Sequence, residues 1–178
     1  MNLITPVPAV VAVPLAALAL GLAACAAAPA VTVPAALGAG ANESLAMVVP
    51  ARGVQIYQCR AKGDAHEWAF VAPDAELLDA RGNVIGQHGA GPFWRALDGS
   101  QVSATLKARA DAPAAGAIPW LLLAARDTGP KGAFSGVTSI QRVNTAGGLP
   151  PATPCTGAIV GKQERVHYTA DYRFFTIR

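Results

Sequence analysis

No acidic or basic side chain occurs before Glu43, and charged residues make up only 14% of the 178-residue chain. So little charge cannot cover the outer faces of a helical bundle. The surface must rest on Thr, Ser, Gln, Gly and Pro, which suits β-structure better. The 14 Lys and Arg residues outnumber the 11 Asp and Glu only slightly and lie scattered between positions 52 and 178. Without a basic stripe there is no footprint for a phosphate backbone, so no nucleic-acid partner is implied. Metal and nucleophile signatures are missing too, since the sequence holds no C-x-x-C, H-x-H, H-E-x-x-H or G-x-S-x-G. Gly89-Ala90-Gly91 does not open a dinucleotide loop, because Trp94 stands where G-x-G-x-x-G needs its third glycine and no helical pattern follows. The sequence therefore implies neither a metal nor an organic cofactor.

What the uncharged beginning does contain is an apolar run over residues 8–24 that ends at Cys25. It is short for a membrane span, and Pro8 and Pro14 weaken it as a helix. Leu22-Ala23-Ala24-Cys25 resembles the bacterial lipobox, whose small residues fit the signal peptidase and whose cysteine is lipidated after the cut. The expected organisation is a signal peptide over residues 1–24, a small-residue tether over 25–32 starting at a lipidated Cys25, and one domain over 33–178. Ala26 rather than Asp follows the cysteine, which by resemblance to enterobacterial sorting points to the periplasmic face of the outer membrane. Plain secretion is the alternative.

With Cys25 lipidated, Cys59 and Cys155 remain in an oxidising compartment, and two is the count that pairs without remainder. A disulfide is expected, with free thiols or metal ligands as the alternative.

From residue 33 onward the dominant pattern is period-two alternation. In Q-V-S-A-T-L-K-A-R, residues Val102, Ala104, Leu106 and Ala108 share one face of a half-buried strand. R-V-H-Y-T-A-D-Y-R-F-F sets Val166, Tyr168, Ala170, Tyr172 and Phe174 on one face and is expected to be the longest strand. Shorter strands are expected at 44–49, 54–59, 68–71, 119–124 and 135–143, separated by turns that include Ala51-Arg52-Gly53 and Asp98-Gly99. No window sustains a 3.6-residue apolar period beyond about two turns, so helices should be few and short. The fold class is all-β: an antiparallel β-sandwich, with a closed β-barrel as the alternative, since both give the same alternation.

Candidate chemistry gathers in H-G-A-G-P-F-W-R-A-L-D-G-S at 88–100. His88, Asp98 and Ser100 could form a triad, but Asp-Gly is a favoured two-residue hairpin pair, which explains Asp98 and Gly99 more simply. His66, His88 and His167 have no metal-ligand spacing. The remaining candidates for a ligand-binding face are His88, Trp94, Trp120, Arg142 and Asn144, all near turns or strand ends.

Together A-R-G-V-Q-I-Y-Q-C at 51–59, W-A-F-V-A-P-D-A at 68–75, the 86–100 segment, I-P-W-L-L-L at 118–123, I-Q-R-V-N-T-A-G-G-L-P-P at 140–151 and Y-T-A-D-Y-R-F-F at 168–175 resemble the domain of unknown function 3455 family. The resemblance covers roughly residues 33–178 and implies an exported bacterial or fungal protein, with no established activity and no catalytic residue to transfer. The sequence reading is thus a cell-envelope lipoprotein or secreted protein, a non-enzymatic binding or structural module for a glycan or small ligand. Its rival is a hydrolase using His88 as general base, oriented by Asp98 or Asp171.

Overall fold

The computed structural model describes Val31–Arg178; the expected signal peptide and Cys25 lie outside the described residues. Eight strands follow one another: β1 Glu43–Lys62, β2 Ala65–Leu78, β3 Val84–Gly89, β4 Phe93–Ala96, β5 Gln101–Ala110, β6 Trp120–Asp127, β7 Val137–Gly147 and β8 Gln163–Ile177. Each pairs antiparallel with the next, and β8 returns to pair with β1 from Glu43↔Ile177 to Gln58↔Gln163. The sheet therefore closes on itself as a barrel. The all-β antiparallel expectation stands, in the closed form that was its alternative. Helix among the described residues is limited to 3₁₀ turns at Ala35–Leu37 and Gly157–Ile159.

The longest strand is β1, not β8. The expected strands at 44–49 and 54–59 are one continuous element, because Ala51-Arg52-Gly53 is not a turn: all three residues pair with β2 on one side and β8 on the other. Gly53 sits there for closeness, since a Cβ would collide with the Asp74 carbonyl and Ala75 of β2. Gly86 on β3 does the same against the Arg95 carbonyl of β4. Small inward residues such as Ala75, Ala96 and Ala104 then leave room for the bulk of the core, Trp94, Tyr172, Phe174 and Phe134. The Phe134 and Phe174 rings stack with centroids 5.0 Å apart, and Trp94 meets Phe174 edge-on. An eight-stranded barrel is just wide enough to be filled this way or to keep space for one small ligand.

A second apolar cluster lies on the opposite face of the sheet. A β-bulge between Leu106 and Ala108 changes the face presented by β5, so that Leu106 pairs with inward Leu123 while Ala108 pairs with outward Leu122. The single face expected for Val102 through Ala108 is thus split, because an extra residue in one strand inverts the alternation beyond it. Ala108, Ala110, Trp120, Leu122 and Val143 form an outer apolar patch that Leu37, Val31 and Val33 cover. Gln141 locks the covering segment by donating from Nε2 to the Leu37 carbonyl at 2.5 Å. Val31, at the end of the expected tether, is thereby packed on the barrel wall.

Cys59 of β1 and Cys155, in the connection from β7 to β8, form the expected disulfide across a separation of 96 residues. The connection is also held by backbone hydrogen bonds between Cys59 and the Gly161-Lys162 segment, and by Trp68 Nε1 donating to the Thr153 carbonyl. It runs as a strap against β1 and β2 near their hairpin.

Candidate functional site

His88 and Trp94 are direct cross-strand partners in the β3–β4 hairpin, turned through Ala90-Gly91-Pro92. Facing partners in a hairpin point to the same side of the sheet, and here that side is the barrel interior. Their rings stack with centroids 4.2 Å apart at 14°. Closure of the sheet brings Tyr172 of β8 edge-on to both, at 5.0 Å from His88 and 5.3 Å from Trp94. Tyr172 pairs in turn with Arg142 of β7, and Arg142 with Leu121 of β6. Residues far apart in the chain thus line one cavity of about 340 Å³, completed by Gln55, Phe70, Val71, Pro73 and Leu123. It lies beside a broader cleft of about 630 Å³ that shares Gln55, Phe70, Leu121 and Arg142 and is edged by Leu106, Leu149 and Pro150.

The electrostatics of the cavity are unusual. His88 Nδ1 lies 2.7 Å from the Phe93 carbonyl, so this nitrogen carries the proton and Nε2 keeps the lone pair. Burial pushes the imidazole pKa down from 6.5 to about 4; the hydrogen bond to Phe93 opposes the shift and the Arg142 charge adds to it. The ring is therefore neutral at pH 7. Burial likewise raises the Tyr172 hydroxyl, partly offset by Arg142. Arg142 donates through Nε and Nη2 to the Pro119 carbonyl, a neutral acceptor, at 3.2 and 2.8 Å.

A depressed imidazole pKa has a consequence for stability. The unfolded chain takes up a proton near pH 6.5 that the folded protein takes up only near pH 4, so this contribution is complete above the first value and lost as pH falls through the window to the second. The loss amounts to about 3 kcal/mol. Urea unfolding at pH 7 and pH 4 should show it in the wild type, and His88→Phe should reduce the difference by about that amount. An unchanged difference in the variant would assign the acid sensitivity to other groups.

The five candidate residues separate in space. His88, Trp94 and Arg142 converge on the cavity. Trp120 does not: it sits 6% exposed in the outer cluster, because Trp120 and Leu121 are successive strand residues and point to opposite faces. Asn144 does not either. It is exposed, in the left-handed region at φ 51°, and donates to Asp171 Oδ2 at 2.8 Å. What looked like the end of a strand is a bulge inside β7 between Val143 and Ala146. Among the cavity residues that the sequence reading did not single out are Gln55, Phe70 and Tyr172. Tyr172 was legible as inward-facing, but only closure of β8 on β1 reveals what it faces.

The general-base reading loses its carboxylate. Asp98 Oδ1 accepts from the Ser100 backbone and hydroxyl and Oδ2 from the Ala133 backbone. These bonds hold the Asp98 carboxyl below its usual pKa. Ser100 Oγ accepts from Phe134 N at 3.1 Å, so the Asp98-Ser100 pair ties the β4–β5 turn to the 133–134 loop. That turn is longer than expected: Ala96 bonds Ser100 across Leu97-Asp98-Gly99, with Gly99 at φ 87°. Three-residue hairpins use such a left-handed residue as well. Asp171, the other proposed partner, is occupied by Asn144. Nor do the histidines converge, since no group of three or more metal-ligating side chains exists among the described residues.

No curated protein matches this chain, and no solved structure does. A family model described as a protein of unknown function, DUF3455, matches residues 39–176, nearly the whole barrel and every cavity residue named above. The chain belongs to that family, and the resemblance read from its motifs is thereby established.

Proposed function

We propose that this protein is an exported binding module that takes a small, largely apolar ligand into the open end of its barrel. The observation that carries the reading is the cavity of about 340 Å³ walled by His88, Trp94, Tyr172, Leu121 and Leu123 with Arg142 beside them. Ligand sites are typically concave, mostly apolar and supplied with a few fixed polar groups. The rim adds support: Phe70, Val71, Leu106 and Leu149 are all large, apolar and more than a third exposed, and they border the cavity or its adjoining cleft. Isolated exposed apolar residues are ordinary, but several of them bordering a cavity and the cleft beside it suit a hydrophobic entrant. A glycan fits less well, because Trp94 is 1% exposed and cannot offer a stacking face to a sugar. The test is titration with the neutral fluorescent probe N-phenyl-1-naphthylamine. Saturable one-to-one binding, weakened at least tenfold by Leu123→Trp in a folded variant, is expected; absence of saturation, or indifference to that variant, overturns the reading.

The compartment is part of the same proposal. Leu22-Ala23-Ala24-Cys25 supports lipid attachment and retention at the periplasmic face of the outer membrane. Expression in a bacterium should yield a membrane-associated product whose mass carries the lipid on Cys25, and Cys25→Ala should release it to the soluble fraction. A wild-type product of unmodified mass would rule out the lipid anchor and leave plain secretion.

A further inference from the structure

The cavity is built asymmetrically: it contains hydrogen-bond donors and a positive charge but no acidic side chain. Arg142 belongs to none of the ion pairs among the described residues, which join Arg52 to Glu76, Lys62 to Glu67, Lys162 to Glu164 and Arg165 to Asp74. Those four pairs are on the exposed outside. Arg142 is instead half-buried at an inward position, and its hydrogen bonds satisfy geometry without neutralising charge. A half-buried charge without a counter-charge loses part of its hydration with nothing to offset it, so an anion entering the cavity would be favoured beside it. The nearby carboxylates do not pair with it: Asp171 holds Asn144, Glu43 holds Thr138 and Ser139, and Asp111, which lines the adjoining cleft together with Arg109 and Arg142, forms no ion pair among the described residues.

A second observation points the same way. Gln55 is 2% exposed and lines both the cavity and the cleft, yet its Nε2 has no acceptor among the described residues. Trp94 Nε1 is also without an acceptor among the described residues, but so is Trp120 Nε1 in the outer cluster, so the amide of Gln55 is the orphan that is particular to the cavity. Buried amides and indoles ordinarily find partners, so orphaned donors at a cavity wall mark places where an acceptor is missing. The neighbouring His88 is neutral and brings no second charge. The rest of the lining is apolar apart from the Tyr172 hydroxyl, which lies 3.2 Å from the Tyr168 hydroxyl.

We infer that the ligand is a small carboxylic acid with an apolar body, its carboxylate received by Arg142 and Gln55 and its body lying along Leu121, Leu123, Val71 and Phe70. A guanidinium suits a carboxylate because both are planar and can share two parallel hydrogen bonds. One uncompensated cation matches one negative charge, which favours a monoanion over a phosphate dianion.

This inference rests on the binding reading above and is tested separately from it. The bound N-phenyl-1-naphthylamine is displaced with decanoate, with decanol and with decyltrimethylammonium on the wild type, Arg142→Met and Gln55→Leu, each checked for folding by near-ultraviolet circular dichroism. In the wild type decanoate should displace the probe at least tenfold more tightly than decanol, and the ammonium least well. Arg142→Met should abolish the preference while leaving decanol within about twofold, and Gln55→Leu should reduce it. If Arg142→Met does not fold, the wild-type ranking and Gln55→Leu decide. Equal displacement by decanoate and decanol overturns the carboxylate assignment while leaving the binding reading standing, whereas failure of the probe itself to bind overturns the binding reading.

Discussion

Reduction of the Cys59–Cys155 disulfide, or its replacement in a Cys59→Ala/Cys155→Ala variant, is expected to lower the stability of the barrel by about 4 to 5 kcal/mol. The bridge spans 96 residues, so it removes a large closed-loop entropy from the unfolded chain. Native-state packing gives the effect a second component. Cys59 is fully buried, and the strap it anchors carries Leu149 and Pro150 at the edge of the cleft. Guanidinium unfolding with and without reductant measures the total. Probe binding under reducing conditions, in denaturant-free buffer, reads the local part: affinity should fall several-fold as the strap loosens, even where the barrel stays folded. A loss below about 1 kcal/mol would mean that the strap is held by its backbone hydrogen bonds alone, and that the covalent link adds little to the closed fold.

The second large effect is expected for Trp94→Ala, about 3 to 5 kcal/mol. Trp94 is among the largest fully buried side chains and touches His88, Tyr172 and Phe174 with its ring, so truncation leaves a hole that the paired strands around it cannot close. Trp120→Ala should cost less although Trp120 is also buried. Its cover is the short segment Val31–Leu37, held by few contacts and able to settle into the space. Equilibrium urea unfolding of both variants measures the contrast, and equal losses would contradict the distinction between a closed interior and a lidded outer patch. The two tryptophans, similar in the sequence as aromatic residues near turns, therefore have different jobs. Neither presents an open aromatic face to solvent, which is why the binding surface first drawn through both has contracted to a cavity that only Trp94 helps to wall.

Much of the barrel was legible because alternation is a local property. β5, β8 and most of β6 and β7 fall where period-two patterning places them, and the disulfide joins the two cysteines that lie beyond residue 33. The errors have a common cause. Ala51-Arg52-Gly53 reads as a turn, yet β1 runs through it because Gly53 is needed for close approach to β2. Bulges at Leu106–Ala108 and Val143–Ala146 change which face or pairing follows, and nothing in the residue types announces where an extra residue will be absorbed. Asn144 was drawn toward the site for that reason, and Trp120 because the alternation of a short apolar strand does not say which face is the interior.

The sequence by itself determined the fold class, the pairing of the cysteines and the inward face of β8, because each depends on side-chain periodicity or on simple count. It also brought His88 and Trp94 within one hairpin of each other. Only the tertiary structure decided that the sheet closes, that Tyr172 and Arg142 stand across the lumen from that hairpin, and that the aspartate and serine nearby belong to a turn. Closure is set by pairing between strands more than a hundred residues apart, as at Glu43↔Ile177, and no local pattern encodes it. The cavity, with its unpaired cation and unaccepted donors, exists only once that ring is complete.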